Sequence, residues 1–265
     1  MVDLNRRALI MVKPDGVVQR ITGELLGWLA LRGLRPLAFR EVVLTAERRR
    51  SLYATTRTGG RLDWDLNAIL YTLGPVHAVL LEGDHPAGFD SLSDFVSRAL
   101  KGHFVPGRAR PGTMRGALGA LNPVFNLVHA TDSTDDLERE TMALFDETLC
   151  HVAVPREVPL PDAVRATPAR RTPLWTTVAG VVEPWIGKAN WPDDRAGPSV
   201  PALLEARNAW DAALERLPDA GESLKGIRTG ATPYGSLVER PEWASYLTYT
   251  TLRYLDLCLE GAAPG

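Results

Sequence analysis

A ferredoxin-like α+β sandwich of βαββαβ order, followed by a smaller and mostly helical C-terminal region, is the architecture expected for this 265-residue chain. Three features point to it. Apolar runs of strand length stand at 7–14, 36–44, 77–84 and 124–129, and segments of helical spacing lie between them in the split order of that fold. From about residue 151 the chain turns proline-heavy and loses any clear period, before two amphipathic stretches close it. The composition, 45% hydrophobic and 23% charged, is that of an ordinary globular protein and excludes disordered, collagen-like and coiled-coil classes.

The elements follow in order. RALIMVKP at 7–14 is an apolar run stopped by proline, a buried strand that ends on a KPDG turn. Residues 21–33 carry Leu25, Leu26, Trp28, Leu29 and Leu31 at helical spacing and stop at Gly33. PLAFREVVL at 36–44 alternates as a second strand, and residues 46–57 and 64–73 read as helices on either side of the Gly59–Gly60 pair. HAVLLEGD at 77–84 is the third strand, and 88–101 is helical through Phe89, Leu92, Phe95, Val96 and Leu100. The glycine- and proline-rich stretch 102–124 is a functional-loop candidate, since structureless loops of that length are uncommon. VFNLVH at 124–129 is the fourth strand, and 134–149 is a helix begun by acids, as the helix dipole favours. The expected division is 1–150 for the sandwich, 151–198 for a linker or wrapping arm, and 199–265 for a helical region started by Pro201 and again by Pro241.

Charge and cysteine content narrow the function classes. Basic residues number 30 against 32 acidic ones, a net charge of −2, and only four of the basic residues are lysines: Lys13, Lys101, Lys188 and Lys225. An arginine-rich chain can bind phosphate through the guanidinium fork, or can simply reflect a GC-rich coding sequence. With no long basic run, no nucleic-acid partner is expected. Two cysteines, Cys150 and Cys258, cannot build a disulfide framework and lack zinc-site spacing, so they read as buried thiols in a reducing compartment. No stretch has the length of a membrane span, and the first residues do not form a secretory signal, so a cytoplasmic protein with no membrane partner is expected.

The chemistry gathers around one histidine. His129 closes an apolar strand, and its company includes the KPDG segment at the end of another strand, separated arginines, and an acid at 140 on the following helix. An imidazole is a competent phosphoryl acceptor near neutral pH because it keeps a nucleophilic lone pair. Phosphoryl transfer asks a protein mainly for positioning and for cations around the moving charge, and Lys13, Arg98 and Arg115 are the candidates.

Three motifs, MVKPDGVVQR at 11–20, PGTMRGALG at 111–119 and NLVHATDS at 126–133, with EGD at 82–84 and ERE at 138–140, resemble the nucleoside diphosphate kinase family in order and spacing. The resemblance covers residues 7 to about 147 and implies that family's version of the sandwich. It implies that His129 is the nucleophile that becomes phosphohistidine, that Lys13 reaches the terminal phosphate, and that Tyr53 lies beside the histidine. Arg98 would bind the β-phosphate, Arg115 would bridge phosphates, Asn126 would contact the ribose or phosphate end of the nucleotide, and Glu140 would orient the hydrogen bonds of the site. Asp132 would help to place Mg²⁺ through water, with ATP or another nucleoside triphosphate as donor, a nucleoside diphosphate as acceptor, and a homo-oligomer as the assembly.

The chain also departs from the family. RTGGRLDWDLN at 57–67 replaces the segment whose aromatic ring stacks on the base, which leaves Trp64 as the candidate for stacking or as a core residue. Phe104 stands where the family has a hydroxyl, and Ala130-Thr131 stands for Gly-Ser. These changes leave the phosphotransfer half intact and alter the base-recognition half. A specialised acceptor is one consequence; a catalytically weak nucleotide-binding regulatory protein on the same fold is the alternative.

Overall fold

The computed structural model describes residues 2–55, 67–153, 160, 161, 164, 176, 208, 246, 247, 250 and 251. The expected linker at 151–198, most of both C-terminal amphipathic stretches, Cys258 and Trp64 lie outside the described residues. The chain divides into two compact units, each described by itself: Met1–Gly102 with Arg110–Leu118 and Leu127–Arg170, and His103–Ala109 with Gly119–Asn126 and Arg171–Gly265.

In the first unit four strands, β1 (Arg7–Val12), β2 (Arg35–Val42), β3 (Val76–Glu82) and β4 (Val128–Ala130), form one sheet in the order β2-β3-β1-β4 with every neighbouring pair antiparallel. The crossed order confirms the ferredoxin-like architecture. β1 is buried along its whole length and β3 nearly so, as central strands covered on both faces must be. The edge strand β2 is partly exposed.

Six α-helices of the first unit carry labels: α1 (Pro14–Val18), α2 (Thr22–Ala30), α3 (Ala46–Leu52), α4 (Leu92–Phe95), α5 (Met114–Leu118) and α6 (Thr134–Phe145). α4 runs directly into a wider, π-helical turn at Val96–Lys101. Short polar side chains start three of them: Thr45, Ser91 and Ser133 accept the backbone N–H of Arg48, Asp94 and Asp136. The α2 turn closes at Gly33, whose φ of +77° suits glycine. Leu9 and Met11 of β1, Ala78 and Leu80 of β3, Leu52 of α3 and Leu137, Leu144 and Phe145 of α6 share one hydrophobic core. That core fixes the face of the sheet that α3 and α6 cover.

Three expectations are corrected. KPDG is a helix start rather than a turn: Lys13 is the N-cap and Pro14 fills the first position, where its missing N–H is harmless. The fourth strand is three residues, Val128–Ala130, and not 124–129, because Leu127 takes a left-handed φ of +70° that no strand can contain. The helix expected over 46–57 stops at Leu52.

In the second unit Asn122 is a buried hub. Its Oδ1 accepts from the N–H groups of Val124 (2.9 Å) and Phe125 (2.8 Å), while its Nδ2 donates to Thr250 Oγ1 (3.2 Å) and Thr251 Oγ1 (3.1 Å). Phe125 packs against Tyr246 with ring centroids 5.5 Å apart. Among the described residues, no helix is long and apolar enough to cross a membrane.

Candidate active site

Register places the histidine. Met11 of β1 pairs with His129 of β4, and antiparallel partners project from the same face. Met11 belongs to the core under α3 and α6, so His129 emerges beneath those two helices. On α6 the positions Leu137, Glu140, Thr141 and Leu144 recur at helical spacing and are buried, which turns Glu140 inward with the apolar stripe. Its Oε2 lies 2.8 Å from His129 Nε2. Arg139 stands 3.5 Å from the other carboxylate oxygen and is itself anchored on Ser51, Thr55 and Asp136. Tyr53, which ends α3, meets the imidazole edge-on with centroids 5.2 Å apart.

Lys13 follows the last residue of β1, and its backbone N–H donates to the Leu127 carbonyl at 2.9 Å. Its ammonium is buried, donates to Asn67 Oδ1 at 3.0 Å and lies 5.9 Å from the centre of the Tyr71 ring. Burial lowers it to about 8, with Asp15 pulling it up and Arg115 pushing it further down. Asp15, the second residue of α1, is fully buried; one of its oxygens takes the Leu127 N–H at 2.9 Å and the other has no hydrogen-bond partner among the described residues. Burial raises its carboxyl.

Arg115 of α5 is buried and braces the strand that carries the histidine. Its Nη1 donates to the Gly102 carbonyl (3.0 Å) and its Nη2 to that of Val128 (2.7 Å), the residue before His129. Burial brings this guanidinium down to about 10. The neighbouring Gly116 lets α5 approach closely, since a Cβ there would stand 2.1 Å from the Arg110 carbonyl oxygen.

Thus His129, Glu140 and Tyr53 are brought together, with Lys13 and Arg115 at the ends and backbone of the same strands. Other expected residues are placed differently. Arg98 is 64% exposed, paired with Asp94 four residues earlier at 2.9 Å, and lies over the Phe89 ring. Asn126 belongs to the second unit, where its side-chain amide donates to the Pro123 carbonyl at 2.6 Å. Asp132, expected near a metal, accepts hydrogen bonds from Lys101 (2.7 Å) and Ser97. Burial works against its ionisation, but Lys101 and Ser97 outweigh that effect and hold the carboxyl below its usual range. Phe104 stacks on His103. Trp64, the expected base-stacking residue, lies outside the described residues.

The sequence reading missed four residues of this neighbourhood: Asp15, Asn67, Tyr71 and Lys101. The Tyr71 hydroxyl bonds that of Tyr53, and burial raises both phenols. Two of them carried a usable signal: Asp15 stands in the KPDG motif, and Lys101 is one of four lysines in the chain.

No group of three or more His, Cys, Asp or Glu side chains among the described residues could cage a metal ion. Mg²⁺ does not require one, since it takes one or two carboxylates and completes its shell with waters and phosphate oxygens. Asp132, 67% exposed, is a carboxylate of that kind.

Comparison with known proteins gives one consistent result. The family model described as nucleoside diphosphate kinase matches residues 6–149. The nucleoside diphosphate kinase of Methanosphaera stadtmanae is 35% identical over 158 residues, which cover 58% of this chain and 95% of the relative. That of Archaeoglobus fulgidus is 36% identical over 141 residues, or 53% of this chain and 87% of the relative. A solved nucleoside diphosphate kinase family structure from Babesia bovis aligns with a TM-score of 0.44 at 29% identity, covering 52% of this chain and 86% of that one.

Proposed function

The chain belongs to the nucleoside diphosphate kinase family and is a nucleotide phosphotransferase, and on that premise we propose that it works through a phosphohistidine formed on His129. The observation that carries this reading is the buried Glu140 carboxylate 2.8 Å from His129 Nε2. A carboxylate can only accept, so Nε2 carries the proton and Nδ1 is left with the lone pair. In the first half-reaction that lone pair attacks the terminal phosphorus of a nucleoside triphosphate. An N–P bond forms, the bond to the bridging oxygen breaks, and the nucleoside diphosphate leaves with those electrons. The second half-reaction runs the same steps backwards onto a different diphosphate. Glu140 stabilises the imidazolium character that develops on the ring, as an orienting carboxylate does in other histidine-based sites.

Lys13 and Arg115 supply fixed positive charge in a site where burial strengthens every electrostatic contact. Mg²⁺, held by the nucleotide phosphates with Asp132 reaching it through water, would neutralise further phosphate charge when bound. Arg98 reaches the nucleotide only by leaving Asp94, and Asn126 and Trp64 remain the nucleotide-contact candidates named from the sequence. The changed base-recognition segment, with Asn67 turned onto Lys13, supports an acceptor other than the common nucleoside diphosphates. A panel of diphosphates tested for discharge of the phosphoenzyme decides that point. Family membership also carries a homo-oligomeric assembly to this chain, which light scattering on the purified protein tests. The cytoplasm, which supplies such nucleotides and keeps the buried free thiol of Cys150 reduced, is the proposed compartment.

The central test is incubation with γ-labelled ATP and Mg²⁺. An acid-labile, base-stable label forms on the protein, is absent from His129→Ala, and is discharged by a nucleoside diphosphate. Equal labelling of His129→Ala would sink the reading.

A further inference from the structure

Lys101 ends the π-helical turn Val96–Lys101, and its ammonium is folded inward with the side chain only 16% exposed. Nζ donates to Asp132 Oδ1 at 2.7 Å and to Ser97 Oγ at 2.8 Å, and lies 3.5 Å from the carbonyl oxygen of Ala130, the residue after His129. The next residue, Gly102, gives its carbonyl to Arg115, whose other arm holds the Val128 carbonyl before His129. Two cations, Arg115 buried and Lys101 largely so, therefore bracket the histidine backbone, one on the carbonyl before it and one against the carbonyl after it. The two described lysines flank β4: Lys13 gives its backbone N–H to the carbonyl of Leu127, just before the strand, and Lys101 lies against the carbonyl of Ala130, its last residue.

We propose that Lys101 is a further residue of the phosphotransfer reaction, a built-in cation beside His129 that stabilises the phosphohistidine and is held in place by Asp132 and Ser97. This rests on the phosphohistidine reading above. The pair with Asp132 does not cancel the ammonium within the site. Asp132 is 67% exposed, so water partly screens its charge, whereas the Lys101 side chain is only 16% exposed and its charge acts mainly through protein. Consistent with that, the ammonium feels Arg115 and Glu140 as well as Asp132, and burial lowers its pKa. A free imidazole is uncharged and gains little from such a neighbour. Its phosphorylated form carries a phosphoryl dianion and gains much more, so the lysine favours one state of the enzyme over the other. The hydrogen-bond partners Asp132 and Ser97 fix where the charge stands, and the four-residue spacing of Ser97 and Lys101 brings both onto one carboxylate.

Because the effect is on an equilibrium, the test is an equilibrium. The full-length protein is mixed with γ-labelled ATP, ADP and Mg²⁺ at a series of fixed ATP:ADP ratios, and the fraction phosphorylated on His129 is measured after it stops changing. Lys101→Met lowers the ratio of phosphorylated to free enzyme about tenfold at each setting, the scale of one buried charge acting across a partly screened site. Lys101→Gln keeps polar contact with Asp132 and Ser97 but lacks the charge, and gives the same loss; Lys101→Arg restores most of the wild-type ratio. A lysine that merely held the strand in place would slow both directions alike and leave the ratio unchanged. An unchanged ratio in Lys101→Met or Lys101→Gln, however slowly reached, therefore overturns the proposal while the phosphohistidine reading stands. If the wild type takes no label on His129, both fall.

Discussion

Lys13 makes a prediction in which activity and stability move oppositely with pH. Its ammonium is lowered to about 8 by burial, against about 10.4 for a lysine in the unfolded chain. Between those values the unfolded state holds more protons than the folded one, so stability rises with pH as Lys13 sheds the charge that burial penalises. From pH 8 to 9.5, before tyrosines titrate, the gain is ~2 kcal/mol. The cation proposed for the terminal phosphate is lost over the same range, so turnover falls. Urea melts and rate profiles across that range check both, and Lys13→Met flattens the stability rise. At Glu140 a different signature is expected. Glu140→Gln keeps the side chain's size but removes the charge that orients and supports the imidazole, so kcat falls about 10- to 100-fold with KM little changed. A parallel rise in KM would instead mean that Glu140 helps to bind nucleotide. These residues differ in how plainly the sequence announces them. His129 and Lys13 stand in contiguous motifs. Lys101 does not, because its partners Ala130 and Asp132 are about 30 residues away and meet it only through the sheet. Asp15 reads as a turn acid, yet it is fully buried because α1 turns it onto the backbone of Leu127.

Among the elements, α5 and α6 do most to place the site. Gly116→Ala puts a Cβ 2.1 Å from the Arg110 carbonyl oxygen, a backbone atom that cannot swing aside, so α5 must shift and take Arg115 with it. The expected cost is ~2 kcal/mol or more, with a drop in kcat larger than unfolding alone would give. Thermal melts and rates of the folded protein separate the two effects. Ser133→Ala removes the cap of α6, whose hydroxyl accepts from Asp136 N–H, and should cost ~1 kcal/mol while leaving Glu140 in register. Most elements were legible as apolar periods. The shortened β4 was not: Leu127 carries a strand-like side chain but a left-handed backbone, and what holds it is the Asp15 carboxylate on its N–H. Local propensity cannot register a partner 112 residues distant. The π-helical turn was hidden for a different reason: 88–101 has the apolar spacing of an ordinary helix.

For the molecule as a whole, length is informative. The family match ends at residue 149, and the second compact unit takes in pieces of the loop region together with the C-terminal part. In that unit Tyr246 is fully buried against Phe125, and Thr250 and Thr251 satisfy the buried amide of Asn122. Tyr246→Ala is expected to cost ~3 kcal/mol, read as a lower midpoint in urea, because it empties a large aromatic site and loosens a satisfied polar cluster beside it. A midpoint equal to wild type would show that the C-terminal residues are dispensable for that unit. The sequence marked this region only by prolines and two amphipathic stretches, since a helix face shows that something is buried but not what buries it. The first unit has a comparable long-range tie. Arg7 of the central strand extends one guanidinium nitrogen to the carbonyls of Leu149, Cys150 and Val152, more than 140 residues later. β1 also waits for β4, its neighbour on one side, which is made almost 120 residues after it. During synthesis, then, β1 cannot be sealed until residue 152 has emerged, and through that whole interval the nascent chain exposes an apolar strand that a chaperone could hold.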